Sequence, residues 1–208
     1  MRCSFVGPSS LFQRWNMQIR NNYGLLKPEA IPTNEKISIL LILRSIGKHS
    51  EGQETRVFRN TPAISKMLEE FEGVQLVIKD LATIGFEEQI KLIASSSLLI
   101  GMHGAGIASS MHMAVGSKYC CGVIEIFPQG EFKPIRGYGN MARRMGHHYE
   151  RLELSSKESH GDGGEVPVDK LKELTKSVLD RIRGKPSCVL PSVIEDPHFS
   201  SVSSAWGK

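Results

Sequence analysis

The sequence predicts an α/β fold in which a parallel sheet carries helices on both faces. Three observations lead there. Short, wholly apolar runs recur along the chain, and stretches of helical periodicity separate them. One of those runs ends in a glycine cluster, Gly101-Met102-His103-Gly104-Ala105-Gly106. Strands that read as continuous apolar runs are buried on both faces. Their regular alternation with helices implies right-handed crossovers and parallel pairing, a Rossmann-like arrangement.

The elements follow in order. Leu11, Phe12, Trp15, Ile19 and Tyr23 have helical spacing and predict a short amphipathic helix. Pro28, Pro32 and Thr33 then read as a linker. Ile37 to Leu43 is an apolar run of strand length. Pro62 to Glu72 places Ile64, Met67, Leu68 and Phe71 on one helical face. Val74 to Ile78 is the second strand, and Phe86 to Ala94 the next helix. Ser97 to Gly101 is the third strand, and Ala105 to Met113 reads as a helix. Gly122 to Phe127 is the fourth strand, stopped by Pro128. Arg136 to Gly146 reads as helical, His148 to Leu154 as a fifth strand, and Ser155 to Glu165 as a Ser/Gly-rich loop. Val168 to Arg183 is an amphipathic helix with Leu171, Leu174, Val178, Leu179 and Ile182 on one face. The expected domains are a connector over residues 1–36, a nucleotide-binding domain over 37–184 and an irregular tail over 185–208.

Composition narrows the function classes. The chain has 208 residues, 40% apolar and 23% charged, which is ordinary for a globular domain. Its net charge of +4 suits an anionic ligand. Lys and Arg are scattered, so no nucleic-acid surface is expected. No run approaches the roughly 18 apolar residues that cross a bilayer. Cys3, Cys120, Cys121 and Cys188 form no C-x-x-C pair. No H-E-x-x-H or Asp-x-Asp occurs either, so no metal site is expected.

The chemistry should lie at the carboxyl ends of the strands, where open parallel sheets bind ligands. The glycines from Gly101 to Gly106 allow a sharp strand-to-helix turn and close approach of a ligand. The helix behind them would offer Gly104, Ala105 and Gly106 N–H groups to a diphosphate. His103, inside the turn, could donate to a phosphate or a sugar hydroxyl. Alternatively the turn is purely structural. Arg44 follows the first strand directly, and Arg56, Arg59 and Asn60 lie in the next loop. Of these, Arg44 and Arg59 are the favoured phosphate ligands.

Glu125, inside an apolar strand, needs a partner; a ribose or a neighbouring Arg would serve. Gly137-Tyr138-Gly139-Asn140-Met141-Ala142 is a Gly-rich helix start, either an ordinary turn or a ligand contact through Tyr138 or Asn140. Of His147 and His148, one is expected to be buried and one exposed. Met111 and Met113 read as core.

These pieces, in this order, resemble glycosyltransferase family 61. Ile39-Leu40-Leu41-Ile42-Leu43-Arg44 is similar to its opening strand and arginine, and Arg59-Asn60 to its arginine- and asparagine-bearing loop. Phe86-Glu87-Glu88-Gln89-Ile90 resembles a further family stretch. Gly101 to Gly106 looks like its HGAG core, and Val123 to Pro128 its Glu- and Pro-bearing strand. Tyr149 falls where the family often has a Tyr. Ile107-Ala108-Ser109-Ser110 departs from the usual L-T-N.

The resemblance implies the C-terminal half of a GT-B type enzyme. Such an enzyme moves GlcNAc or xylose, with inversion, from a UDP-sugar to a glycan or glycoprotein acceptor. It works in the secretory pathway and needs no further cofactor. Arg44, Arg59, Asn60, His103, Gly104 to Gly106 and Glu125 would bind the donor, with His103 stabilising the leaving group. A non-catalytic nucleotide-sugar-binding module is the alternative. An esterase reading of His103-Gly104-Ala105-Gly106 fails for want of a G-x-S-x-G elbow.

Overall fold

A computed structural model describes residues 8–25, 36–44, 56–113, 121–128, 137–160 and 163–184. The linker at Pro28 to Thr33, the tail beyond Gly184, and Cys3, Cys120 and Cys188 lie outside the described residues.

Five strands form one parallel sheet: β1 (Ile37–Leu43), β2 (Val74–Asp80), β3 (Leu98–Met102), β4 (Gly122–Phe127) and β5 (His148–Glu153). Their spatial order is β2-β1-β3-β4-β5. The chain winds from β1 to one side and then returns to β3 on the other, which opens a crevice between the carboxyl ends of β1 and β3.

The strand pleat sorts the core into two layers. Ile39, Leu41, Leu98, Ile100, Ile124 and Ile126 face α2 (Thr61–Glu69) and α6 (Val168–Gly184). Leu40, Ile42, Leu99 and Val123 face the other way, where Ile93 of α3 (Phe86–Ala94), Ile107 and Ala142 of α5 (Gly137–Met145) cover them. β3 and β4 are buried along their whole length, which their apolar runs suit, with Glu125 of β4 the one charged residue in them. This is the expected doubly wound α/β sheet with helices on both faces.

Three expectations need correction. The helix from Ala105 to Met113 is instead a short α4 (Ala105–Ala108) that tightens into a 3-10 turn, Ser109–His112. The stretch from Ser155 to Glu165 contains a small antiparallel pair, β6 (Ser159–His160) and β7 (Gly163–Gly164). It is pinned by Gly164 N–H donating to Val57 O at 2.8 Å and Arg59 N–H donating to Gly164 O at 3.0 Å. Two-residue strands are too short to leave a periodic signal.

The first helix, α1 (Ser10–Asn22), forms where its spacing predicts, but it buries Gln13, Asn16 and Arg20. Leu11 is 72% and Trp15 42% exposed. The buried amides explain this orientation. Gln13 donates to Met145 O at 3.1 Å, at the end of α5, and Asn16 donates to Met111 O and, at 3.1 Å, to Met113 O. These carbonyls at helix and turn ends would otherwise lack partners.

Candidate functional site

The glycine turn stands at the carboxyl end of β3, as the sequence suggests. Gly104 has φ +146° and ψ −171°, a region open essentially to glycine alone. The residue is also pressed by charge. A Cβ there would overlap Nη2 of Arg44 and lie 3.2 Å from Nη1 of Arg56. Arg44 arrives straight from β1, and Arg56 from the loop ahead of α2. Two guanidinium groups from separate segments thus converge on one bare backbone position beside His103. A guanidinium presents its N–H groups as a planar fork whose geometry suits phosphate oxygens.

Beside this turn lies a cavity of about 300 Å³. Ile42, Leu43 and Arg44 bound it from β1, and Ala105, Gly106 and Ser109 from α4 and the turn behind it. The end of β2 closes it with Asp80, the segment after β2 with Leu81 and Ala82, and α3 contributes Gln89. Asp80 is 9% exposed and its Oδ1 accepts from Ala82 N–H at 3.0 Å. Gln89 donates to Leu81 O at 2.9 Å and Ile84 O at 3.2 Å. The cavity occupies the crevice that the strand order opens, and its size is at the lower end for small-molecule sites.

On the other side of the turn the chain fills its own space. His103 is buried, and its Nδ1 lies 2.5 Å from Oε1 of Glu125. The Tyr149 hydroxyl donates to Oε2 of Glu125 at 2.6 Å. Burial, the Glu125 hydrogen bond and the Glu125 charge all push the Tyr149 phenol above its usual range, so it remains a donor. The His103 ring stacks on Phe127 at 4.4 Å and 26°, with Tyr138 5.2 Å away on a tilted plane. The Arg151 guanidinium sits 3.4 Å from the Phe127 ring centre.

The sequence-derived candidates divide accordingly. Arg44, His103, Gly104, Ala105 and Gly106 meet at one place. Arg56 joins them, and it is this residue that accompanies Arg44 against Gly104. Arg59 is exposed, with its stem packed toward Gly163. Asn60 exchanges two hydrogen bonds with the backbone of Val166, at 2.8 and 3.0 Å, and so ties its loop to the start of α6. Glu125 is 1% exposed, and His103 and Tyr149 take the places foreseen for a ribose or an Arg.

Tyr138 touches the site by its ring, while Asn140 is exposed. Asp80 was not singled out, because the apolar run of the second strand stops at Ile78 while the strand itself continues through Lys79 to Asp80. The four-residue α4 also removes most of the expected helix dipole. Charge at the turn therefore rests on the arginines.

Among the described residues, no helix is long and apolar enough to cross a membrane, and no group of three or more His, Cys, Asp or Glu could hold a metal ion.

No curated protein matches the chain. Among solved structures, the metal-soaked Flv1 flavodiiron core from Synechocystis sp. PCC6803 is similar at a TM-score of 0.44 and 16% identity. That alignment covers 80% of this chain and 40% of the Flv1 chain. A family model described as Glycosyltransferase 61 matches residues 7–120. The match takes in Arg44, Arg56 and the whole glycine turn and spans more than half of the sequence, so the chain belongs to the glycosyltransferase 61 family.

Proposed function

We propose that the chain is the nucleotide-sugar-binding half of a GT-B type inverting glycosyltransferase. Its donor is a UDP-sugar, carrying GlcNAc or xylose, and its acceptor is a glycan or glycoprotein in the secretory pathway. Residues 1–36 serve as the connector to the other half.

The observation that carries this reading is the convergence of Arg44 and Arg56 on Gly104, beside a cavity at the strand ends. The diphosphate lies against the turn, with the guanidinium groups forked onto its oxygens. His103 donates to the negative charge that grows on the departing UDP. Charge stabilisation of this kind lowers the barrier because the donors are already in place before the bond breaks. The arginines supply the positive charge, so no further cofactor is invoked.

Calorimetric titration with UDP, GDP and NAD tests the proposal. UDP should bind selectively, and His103→Ala or Arg44→Ala should weaken it at least tenfold, the loss of about one hydrogen bond to a charged group. A folded chain that binds none of the three nucleotides would sink the reading. Release of UDP from a UDP-sugar in the presence of acceptor glycans separates a transferase from a module that only binds.

A further inference from the structure

We infer that Gln89 selects the base of the nucleotide, its side-chain oxygen accepting a hydrogen bond from the ring N–H of uracil at N3 inside the cavity. The inference rests on the nucleotide-sugar reading above, and it deepens it by naming the residue that tells uracil from cytosine.

An amide side chain has two N–H hydrogens to give and one oxygen to accept with. In Gln89 the nitrogen is committed. Nε2 donates to Leu81 O at 2.9 Å and to Ile84 O at 3.2 Å. Backbone carbonyls only accept, so the end of the amide that meets them is the nitrogen; a flipped amide would set three oxygens together. Both hydrogens are thereby used. Oε1 is the polar atom that Gln89 has left, and among the described residues no hydrogen bond reaches it.

The amide is also held in place. Gln89 stands in the first turns of α3, while Leu81 and Ile84 belong to the segment between β2 and α3. The end of β2 braces that segment too. Asp80 Oδ1 accepts from Ala82 N–H at 3.0 Å, and Thr83 Oγ1 donates to Asp80 O at 2.7 Å. An acceptor fixed in advance loses little freedom when a ligand binds.

The chemistry of the cavity says what that acceptor meets. Ile42 and Leu43 on one side and Leu81 and Ala82 on another give it apolar walls. Such walls suit a flat heterocycle, whose faces are apolar and whose polar atoms lie on its edge. Arg44 and Gly106 line the same cavity, so a nucleotide with its diphosphate at the turn carries its base inside. A hydroxyl both donates and accepts, and either end of an amide satisfies it. N3 of a pyrimidine has one role. In uracil it bears a hydrogen, whereas in cytosine it bears a lone pair that Oε1 repels.

The test titrates the whole chain in a calorimeter with UDP, CDP and UDP methylated at N3, and melting curves show that each variant is folded. The wild type should bind UDP about tenfold more tightly than CDP, and the N3-methyl compound no better than CDP. Gln89→Met keeps the length of the side chain and removes the amide. It should weaken UDP about tenfold and CDP less than about twofold, so that the preference disappears. A tie between α3 and the segment before it uses the nitrogen alone; its loss would weaken both nucleotides alike and leave their ratio unchanged. The wild-type comparison carries the test if Gln89→Met fails to fold. Equal affinity of the wild type for UDP and either analogue, or an unmoved ratio in the folded variant, overturns the inference and leaves the nucleotide reading standing. A folded wild type that binds none of the three overturns both.

Discussion

On the β4–β5 side of Gly104 the strand ends are filled by the chain's own side chains, whereas on the β1–β2 side they enclose a cavity. The filled side holds His103, Glu125, Tyr149, Phe127 and Tyr138, each in contact with another of the group. The open side holds Arg44, Asp80 and Gln89 along the cavity wall. Both sides grow from the same parallel sheet, so the fold does not explain the difference. The side chains at the strand ends do. Aromatic rings and one paired carboxylate satisfy one another and exclude water. On the open side the ends of β1 and β2 leave room for a ligand beside Arg44 and Asp80.

The largest effect should come from the boundary itself. Gly104→Ala places a Cβ in a backbone region almost closed to it, at a cost of about 1–3 kcal/mol. The same Cβ overlaps the Arg44 guanidinium. UDP binding should be lost and the melting temperature lowered, read by calorimetry and thermal unfolding. Affinity equal to the wild type would mean that the two sides do not share a ligand.

Acid should act next, at the amino end of β5, away from both sides of the turn. His147 is 5% exposed, and its Nε2 donates to Ser110 O at 3.2 Å. Burial lowers its pKa from 6.5 to about 4. Between those values the unfolded chain takes up a proton that the folded chain refuses. The contribution is therefore fully present above pH 6.5 and is lost as pH falls toward 4. The loss amounts to about 3 kcal/mol for a shift of this size. Denaturant midpoints between pH 7 and 4.5 should show the decline, and His147→Gln should flatten it. An equal decline in the variant would assign it to other groups.

Where the sequence was legible, burial was one-sided or complete. β1, β4 and α3 have the limits that their apolar pattern predicts. Gly101 to Gly106 stood out because glycine at a strand end has few other uses. What stayed hidden depends on partners far along the chain. Gln13 and Asn16 face inward because carbonyls at Met145, Met111 and Met113 need donors, and helical spacing favours Leu11 and Trp15 instead. The break after Ala108 leaves no periodic mark, since Ser109 to His112 still follows helical spacing. The link from Tyr149 to Glu125 runs diagonally between two strands, where Tyr149 pairs with Val123 and Glu125 with Arg151, and neither residue predicts the other alone.

The loop from Arg56 to Asn60 sharpens the comparison at the small end, because three residues that look alike in sequence have three fates. Asn60→Ala leaves the Val166 N–H and carbonyl without their partners, and should cost about 1–3 kcal/mol of stability with UDP affinity kept. Arg56→Ala removes a charge beside Gly104, and should weaken UDP about tenfold with little change in melting. Arg59→Ala trims an exposed side chain and should change either quantity less than twofold. Paired melting and titration of the three variants read this directly. If Arg59→Ala weakened UDP as much as Arg56→Ala, the cationic side would extend out along the loop, and the line between the filled and open sides would have to be redrawn beyond Gly163.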